Sequence, residues 1–395
     1  MKVEFSPQQN ALREELRAYF GELMTPELTD ECSRDMGEGG GPLWRTALQK
    51  MGADGWIGLG WPEELGGKGM SPIEQFIFVE EIMRAGYPFP FLTTESVGPQ
   101  LAENGNEWHK TELVPKILAG ELLISIGYSE PGAGTDLAAL KTSAVRDGDE
   151  WVINGQKMWT SLAHFCDYTW LAVRTDPDAP KKHKGISMFL VPNDDPGWSC
   201  TPVHTLGDVR TNATFYDNIR VGDRNLVGEL NGGWKLITSQ LNRERLSLVN
   251  VGPTAVLFNK VVQWASETTG ADGNRLVDEA WVQGNLARVR VGIEALKLVC
   301  YKQAWAMSEG TLDMADASVA KVYGSEFFIE AYRLLGEVVG QASMVKAHSA
   351  AGEVLQGRIE RLYRTASIIT FGGGTNEIQR DIISAAGLWI PRASR

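Results

Sequence analysis

The sequence predicts an α+β fold that is mainly helical, with a small β unit enclosed between two helical regions. Two observations predict it. Apolar residues recur at helical spacing at both ends of the chain, and between about residues 122 and 231 the period shortens to strand-like runs. A third observation, the dipeptides Asp147-Gly148 and Asn154-Gly155 between successive runs, predicts tight hairpins and antiparallel pairing rather than crossover connections.

From Ser6 to about Gly120 the pattern is helical, with Leu12, Leu16 and Tyr19/Phe20 on one apolar stripe. Ser71, Pro72 and Glu74 supply an N-cap, an N1 proline and the N3 glutamate of a capping box directly before Phe76, Ile77, Val79, Ile82 and Met83. That helix should run to about Arg84 and stop near Gly86, and residues 112–118 read as one more short helix. Strand-like runs follow at 123–128, 142–146, 150–154, 168–173, 186–191 and 213–216. Helical periodicity then returns over 234–266, 276–309 and 317–339, with a last helix after Thr375. The expected division is an N-terminal helical domain at 1–121, a middle β-barrel-like domain at 122–231 and a C-terminal helical domain at 232–395.

A chain of 395 residues, 43% hydrophobic, is long enough to bury a large core. Its 38 basic against 50 acidic side chains, a formal charge of −12, oppose a broad grip on nucleic acid or an anionic membrane, although a local pocket for a phosphorylated cofactor remains compatible. The four cysteines, Cys32, Cys166, Cys200 and Cys300, stand singly, which argues against a disulfide framework or structural zinc and for a reducing cytoplasm. Residues 1–19 are polar with an amphipathic rhythm and no run of about 18 apolar residues occurs, so neither secretion nor membrane spanning is expected.

Three segments are candidates for chemistry. Ser129-Glu-Pro-Gly-Ala-Gly-Thr-Asp136 follows a strand, and its small residues let backbone approach a phosphate or a planar ring, but it lacks the third glycine and the βαβ setting of a Rossmann fingerprint and can equally be a surface turn. Phe371-Gly-Gly-Gly-Thr-Asn-Glu377 joins two helices; Thr375 can cap the last one and leave N–H groups facing an anion or a flavin carbonyl, or the segment is a plain turn. In the helix near Trp234, Ile237, Leu241, Glu244 and Leu248 are spaced 4, 3 and 4, so a carboxylate falls on the apolar stripe. Burial raises the proton affinity of such a group, as a general base requires; the alternatives are a structural ion pair with Arg243 or Arg245 and a rim position near solvent. Trp159 and Ser161 can stack on and hydrogen-bond a planar ring, and none of the five histidines has metal-ligand spacing.

In identity, order and spacing these segments resemble the acyl-CoA dehydrogenase family of flavoproteins. The resemblance covers essentially the whole chain and rests on Ser129 to Asp136, Ile153-Asn-Gly-Gln-Lys-Met-Trp159, Leu226-Val-Gly228 with Gly232-Gly-Trp234, and Gly373-Gly-Thr-Asn-Glu-Ile-Gln-Arg380. It implies the family's fold: an N-terminal helical domain, a middle antiparallel β domain and a C-terminal four-helix bundle. It also implies FAD, with Tyr128 and Ser129 at positions that contact the flavin ring, Gly134 and Thr135 near the pyrophosphate, Trp159 and Ser161 beside the reactive edge, and Thr375 and Glu377 near the final helix. The implied reaction is α,β-dehydrogenation of an acyl-CoA thioester, a carboxylate removing the α-proton while the β-hydrogen leaves as hydride to flavin N5, and electrons passing on to an electron-transfer flavoprotein.

Two departures refine this expectation. Most of the family carries its base as Glu-Gly-Thr before the final helix, whereas this chain has Gly373-Gly374-Thr375. A minority, including isovaleryl and long-chain members, places the glutamate on the first helix of the C-terminal domain, where this chain has Glu244; Arg245 is then a candidate contact for the CoA portion. The family's adenosine-gripping motifs are also replaced, by Glu267-Thr-Thr-Gly-Ala-Asp-Gly-Asn274 and Glu337-Val-Val-Gly-Gln341. This pattern is similar to the base-carrying subunit of the α2β2 heterotetramers that shorten sterol side chains. A homotetrameric short- or branched-chain dehydrogenase, an oxidase on the same fold, and a non-catalytic subunit that completes a partner's FAD site are the alternatives.

Overall fold

The computed structural model describes residues 4–34, 38–350 and 352–391, without the side chains of Arg34 and residues 242–248. Six helices form the N-terminal region: α1 (Pro7–Leu23), α2 (Pro26–Arg34), α3 (Pro42–Ala53), α4 (Pro72–Ala85), α5 (Gly98–Asn104) and α6 (Val114–Leu118). The local chemistry of α4 is as the sequence signals: the Ser71 hydroxyl accepts from Ile73 N–H, the Glu74 carboxylate accepts from Ser71 N–H at 3.0 Å, and Gly86 ends the helix at φ 84°. Between α4 and α5 the chain makes a π-helical turn over Leu92–Val97, a wide turn that projects residues off the regular helical register.

The middle region is an eight-stranded sheet comprising β1 (Ile124–Gly127), β2 (Ser143–Asp147), β3 (Glu150–Lys157), β4 (Tyr168–Arg174), β5 (Ile186–Pro192), β6 (Trp198–His204), β7 (Arg210–Gly222) and β8 (Leu226–Val227). The order is β6-β7-β3-β2-β4-β5-β8, with β1 beside β4. Asp147 pairs with Glu150, so Gly148 (φ 62°) and Asp149 close a two-residue hairpin between β2 and β3.

Asn154-Gly155, by contrast, is not a hairpin turn. β3 runs through it, and the register against β7 shifts between Ile153 and Gly155. Gly155 sits at φ 148°, and a Cβ there would stand 2.6 Å from Thr142 Oγ1, so the glycine serves a bulge that lets a neighbouring strand approach closely. Pairing is antiparallel except where β1 runs parallel to β4 and where Ser143 meets Arg174. β6 carries no strand signal in sequence because it is mostly exposed along its length and needs no apolar run.

Six helices complete the chain: α7 (Gly233–Leu248), α8 (Gly252–Glu267), α9 (Ala280–Ser308), α10 (Met314–Val339), α11 (Arg358–Ala366) and α12 (Asn376–Ile382). The single helical stretch expected over 234–266 is two helices, separated at residues 249–251, where Asn250 Oδ1 accepts from Gly252 N–H at 2.7 Å. α10 is the central helix, packed against α7, α8, α9, α11 and α12. α7 faces the other way as well: Leu236 and Ile237 join a core formed with Trp170, Met188 and Leu190 of the sheet and Val97 and Leu101 of the N-terminal region. The three regions therefore meet along α7. Among the described residues no helix is long and apolar enough to cross a membrane.

Candidate active site

The loop from Ser129 to Asp136 is pinned at its root and bare at its tip. Met158 N–H donates to Ser129 O at 2.8 Å, and the ammonium of Lys157, fully buried at the end of β3, donates to Tyr128 O at 3.0 Å and to Glu130 Oε1 at 2.8 Å. Glu130 in turn accepts from Lys141 and Thr142 N–H. Burial pushes the Glu130 carboxyl up, but the Lys157 ion pair and these hydrogen bonds outweigh it and hold the group below the usual carboxylate range. Burial lowers Lys157 to about 8 against the opposing pull of Glu130. At the tip, Gly134 and Thr135 are exposed, and Cβ atoms built on Gly132 or Gly134 would meet nothing within 4 Å.

Beside this loop the chain leaves β3 under strain. Trp159 lies at φ 65° and Leu162 at φ 66°, left-handed conformations that bulky residues rarely adopt. Thr160 anchors the segment to β7 through its N–H to Asn212 O (2.9 Å) and its hydroxyl to Thr214 (3.1 Å), and the Ser161 hydroxyl meets that of Thr211 at 3.2 Å. The result is an indole 56% exposed on a rigidly held backbone. Such a surface suits the face or edge of a planar ring.

The second glycine-rich loop is held in the same manner. Lys321 of α10 is fully buried and donates to Thr370 O (3.0 Å), Gly374 O (2.6 Å) and Asn376 Oδ1 (2.8 Å). Thr375 caps α12 by accepting from Ile378 N–H at 3.3 Å, and Glu377 is exposed. This region is joined to the Trp159 segment by the turn between β6 and β7, where Arg364 of α11 binds Asp208 at 2.5 Å and donates to Leu206 O. The turn thus links Thr211, whose hydroxyl meets that of Ser161, to α11.

Of the residues singled out by sequence, Ser129, Gly134, Thr135, Trp159 and Ser161 gather at one end of the sheet. Tyr128 turns inward: its hydroxyl donates to Gln240 Oε1 of α7 and accepts from Trp170 Nε1, each at 2.9 Å. Gln240, fully buried, also donates to Ser96 Oγ of the π-helical turn. Position 244 lies one turn beyond Gln240 on the same face of α7; the side chains of Glu244 and Arg245 lie outside the described residues. Sequence reasoning missed Lys157, Lys321 and Gln240. The signal that marked Glu244, a polar residue on an apolar stripe, was present for Lys321, which follows Ala317 at i+4 and precedes Phe328 at i+7.

On the other side of the π-helical turn lies a cavity of about 510 Å³ between α4, α5, the 60–72 loop and α9. Its walls include Trp61, Met70, Phe76, Val79, Ala304 and Met307, with Gln75 and Glu95 also among the lining residues. A large apolar pocket with few polar groups is the usual form of a small-molecule site.

Comparison with known proteins accounts for this arrangement. Family models match residues 6–121 (acyl-CoA dehydrogenase, N-terminal domain), 125–219 (middle domain) and 231–388 (C-terminal domain). The chain is 52% identical over 402 residues to the acyl-CoA dehydrogenase FadE26 of Mycobacterium tuberculosis, with all of both sequences covered. A chain of the ChsE4-ChsE5 complex from Mycobacterium tuberculosis superposes with a TM-score of 0.93 at 51% identity, and one of the Tcur3481-Tcur3483 steroid ACAD with 0.93 at 46%, each covering 100% of both chains. This chain belongs to the acyl-CoA dehydrogenase family, and is an FAD-dependent oxidoreductase that acts on acyl-CoA thioesters.

Proposed function

We propose that the chain is the base-carrying subunit of a heteromeric acyl-CoA dehydrogenase that introduces an α,β double bond into a bulky sterol side-chain CoA thioester. The observation that carries the reading is Gly373-Gly374-Thr375 where most of the family has its base, together with a glutamate at position 244 on α7. Support for the assembly comes from two relatives whose names each join two chains, one of them described as a steroid ACAD. The substituted adenosine motifs point the same way. Glu337 at the end of α10 is engaged by Arg333 and by Asn285 Nδ2 at 3.0 Å, so it is committed within this chain.

FAD fits the bare side of the Ser129–Asp136 loop, where glycines leave room that a side chain would fill. Ser129, Gly134 and Thr135 would hold it from the loop, Trp159 and Ser161 from the edge of the sheet, Thr375 and Glu377 from the C-terminal side, and Tyr128 as the buried strut behind them. When bound, FAD supplies the hydride acceptor. Glu244 removes the α-proton to its carboxylate and Arg245 contacts the CoA portion, on a helix whose Leu236 and Ile237 are buried in the core shared with the sheet. Electrons leave to an electron-transfer flavoprotein, in a cytoplasm that suits four cysteines outside any disulfide.

The test pairs two measurements. Flavin absorbance and oligomer mass are determined for this chain alone and co-expressed with a second acyl-CoA dehydrogenase-like chain; FAD bound only in the co-expressed complex, at one per unlike pair, is the expected result. A yellow homotetramer with one FAD per subunit overturns the heteromer. In the loaded enzyme Glu244→Gln should lower kcat by about 10³-fold or more while flavin content and melting temperature hold. Unchanged turnover removes Glu244 from the mechanism.

A further inference from the structure

Helix α7 carries a second polar residue on its apolar side, and the partners of that residue explain its presence. Gln240 is fully buried, on the face of α7 that holds Ile237, beside the core that also contains Tyr128 and Trp170. An aliphatic side chain there would bury apolar area with no polar group to satisfy, so the amide is kept for its hydrogen bonds. Its Oε1 accepts from the Tyr128 hydroxyl at 2.9 Å, which itself accepts from Trp170 Nε1 at 2.9 Å, and its Nε2 donates to Ser96 Oγ. One residue earlier, Ser239 Oγ accepts at 3.0 Å from Nε2 of the fully buried Gln100 of α5, whose Oε1 accepts from Asn104 at 3.1 Å. Successive residues point about 100° apart around a helix, so these bonds reach α7 from two directions and oppose both its rotation and its sliding along the axis. Apolar packing alone tolerates small shifts of that kind, whereas directional bonds do not.

We propose that Gln240 is a positioning residue: through Tyr128 and Ser96 it fixes the rotation and axial register of α7 against the Ser129–Asp136 loop, and so sets where the base meets the α-carbon. The assignment rests on Glu244 as the base and adds to it the residue that aims it. Tyr128 immediately precedes Ser129, where the loop begins, and Gln240 lies four residues, about 6 Å of helix rise, before position 244. A displacement of about 1 Å between a base and its reacting carbon can cost about a hundredfold in rate. The π-helical turn that holds the other end of the amide is itself fixed to the sheet, because Thr93 Oγ1 accepts from Ile124 N–H of β1 at 2.8 Å. Gln240 thus acts through the helix and not on the substrate.

The experiment follows flavin reduction in a single turnover of the flavin-loaded enzyme, with its partner chain where loading requires one. The probe is whichever of a steroid side-chain CoA thioester and octanoyl-CoA reduces wild type faster, unlabelled and deuterated at the α-carbon. Gln240→Leu should slow reduction about 10- to 100-fold and raise the α-deuterium isotope effect, because a misplaced base makes α-proton removal more limiting, while thioester Kd and flavin content stay within about twofold. Ser96→Ala should move both readouts the same way by a smaller factor. Gln240→Glu, a buried and therefore neutral carboxyl that keeps an acceptor and a donor, should stay within about threefold of wild type. Before thioester is added, the amide hydrogens of α7 should exchange faster in Gln240→Leu while those of α9 hold. Wild-type reduction and isotope effect in Gln240→Leu overturn the proposal, as does a loss shared equally by rate and Kd with the isotope effect unchanged, which is general loosening of the fold. Where Gln240→Leu does not fold, Ser96→Ala decides by the same two readouts. Glu244→Gln keeps the two failures apart: reduction at the wild-type rate in that variant removes the base, whereas slow reduction there beside a wild-type Gln240→Leu removes the positioning role alone.

Discussion

Glu130 and Glu95 are the same residue type set into two walls of one enzyme, and their environments drive them in opposite directions. Glu130 meets a buried ammonium and two backbone donors, which hold it ionised despite desolvation. Glu95 receives a neutral amide in an apolar cavity and is pushed up to about 7. The partner makes the difference. A buried carboxylate with a charged partner and filled acceptor sites fixes a loop in its ionised form, whereas one that meets only a neutral amide and keeps an oxygen buried without a partner is driven toward its neutral form.

The largest expected effect tests the first half of that contrast. Lys157→Met removes the buried ammonium that pairs with Glu130 and leaves that carboxylate without its ion-pair partner, and it takes a donor from the Tyr128 carbonyl. The expected loss is about 3 kcal/mol, seen as a lower urea midpoint, with reduced FAD content because the Ser129–Asp136 loop loses its root. Adding Glu130→Gln should restore part of the stability by removing the stranded charge. A stability loss confined to a few tenths of a kcal/mol would mean that the pair is not what fixes the loop.

The second effect is smaller and carries the opposite sign. Because Glu95 binds its proton more tightly when folded than at the ordinary value of 4.5, its stabilising contribution is complete below pH 4.5 and is lost as pH rises through about 7. Glu95→Gln should therefore be more stable than wild type at pH 8, by about 1–2 kcal/mol, with the advantage vanishing near pH 4.5. Parallel pH–stability curves for the two proteins would show that Glu95 does not titrate with a raised value in the fold.

These cases show how much of the molecule was legible in sequence. The helix–sheet–helix order and the cap of α4 follow from periodicity and from Ser71, Pro72 and Glu74, because they depend on neighbours a few residues away. Asn154-Gly155 misled because the same dipeptide serves a hairpin and a bulge, and only Thr142, pressing on the glycine from a neighbouring strand, distinguishes them. The two glycine-rich loops are visible in sequence, but a lysine reads as a solvated residue until its partners are known, although Lys157 shares the inner face of β3 with Trp151 and Ile153. Glu95 carried no readable signal. Its role depends on a π-helical turn and on α9, a helix about two hundred residues away in sequence.

The smallest effect on stability concerns the loop tip, where neither carboxylate acts. Gly134 has no neighbour within 4 Å of an added Cβ and no positive φ. Gly134→Ala should leave the unfolding free energy within about 0.5 kcal/mol of wild type. If FAD occupies that space, the same methyl group must stand against it, and FAD should bind about tenfold more weakly, as read by equilibrium dialysis or by flavin retention through gel filtration. Loss of stability with unchanged FAD affinity would place the cofactor elsewhere. Loss of affinity at constant stability means instead that the glycine is bare because the loop is shaped for a ligand.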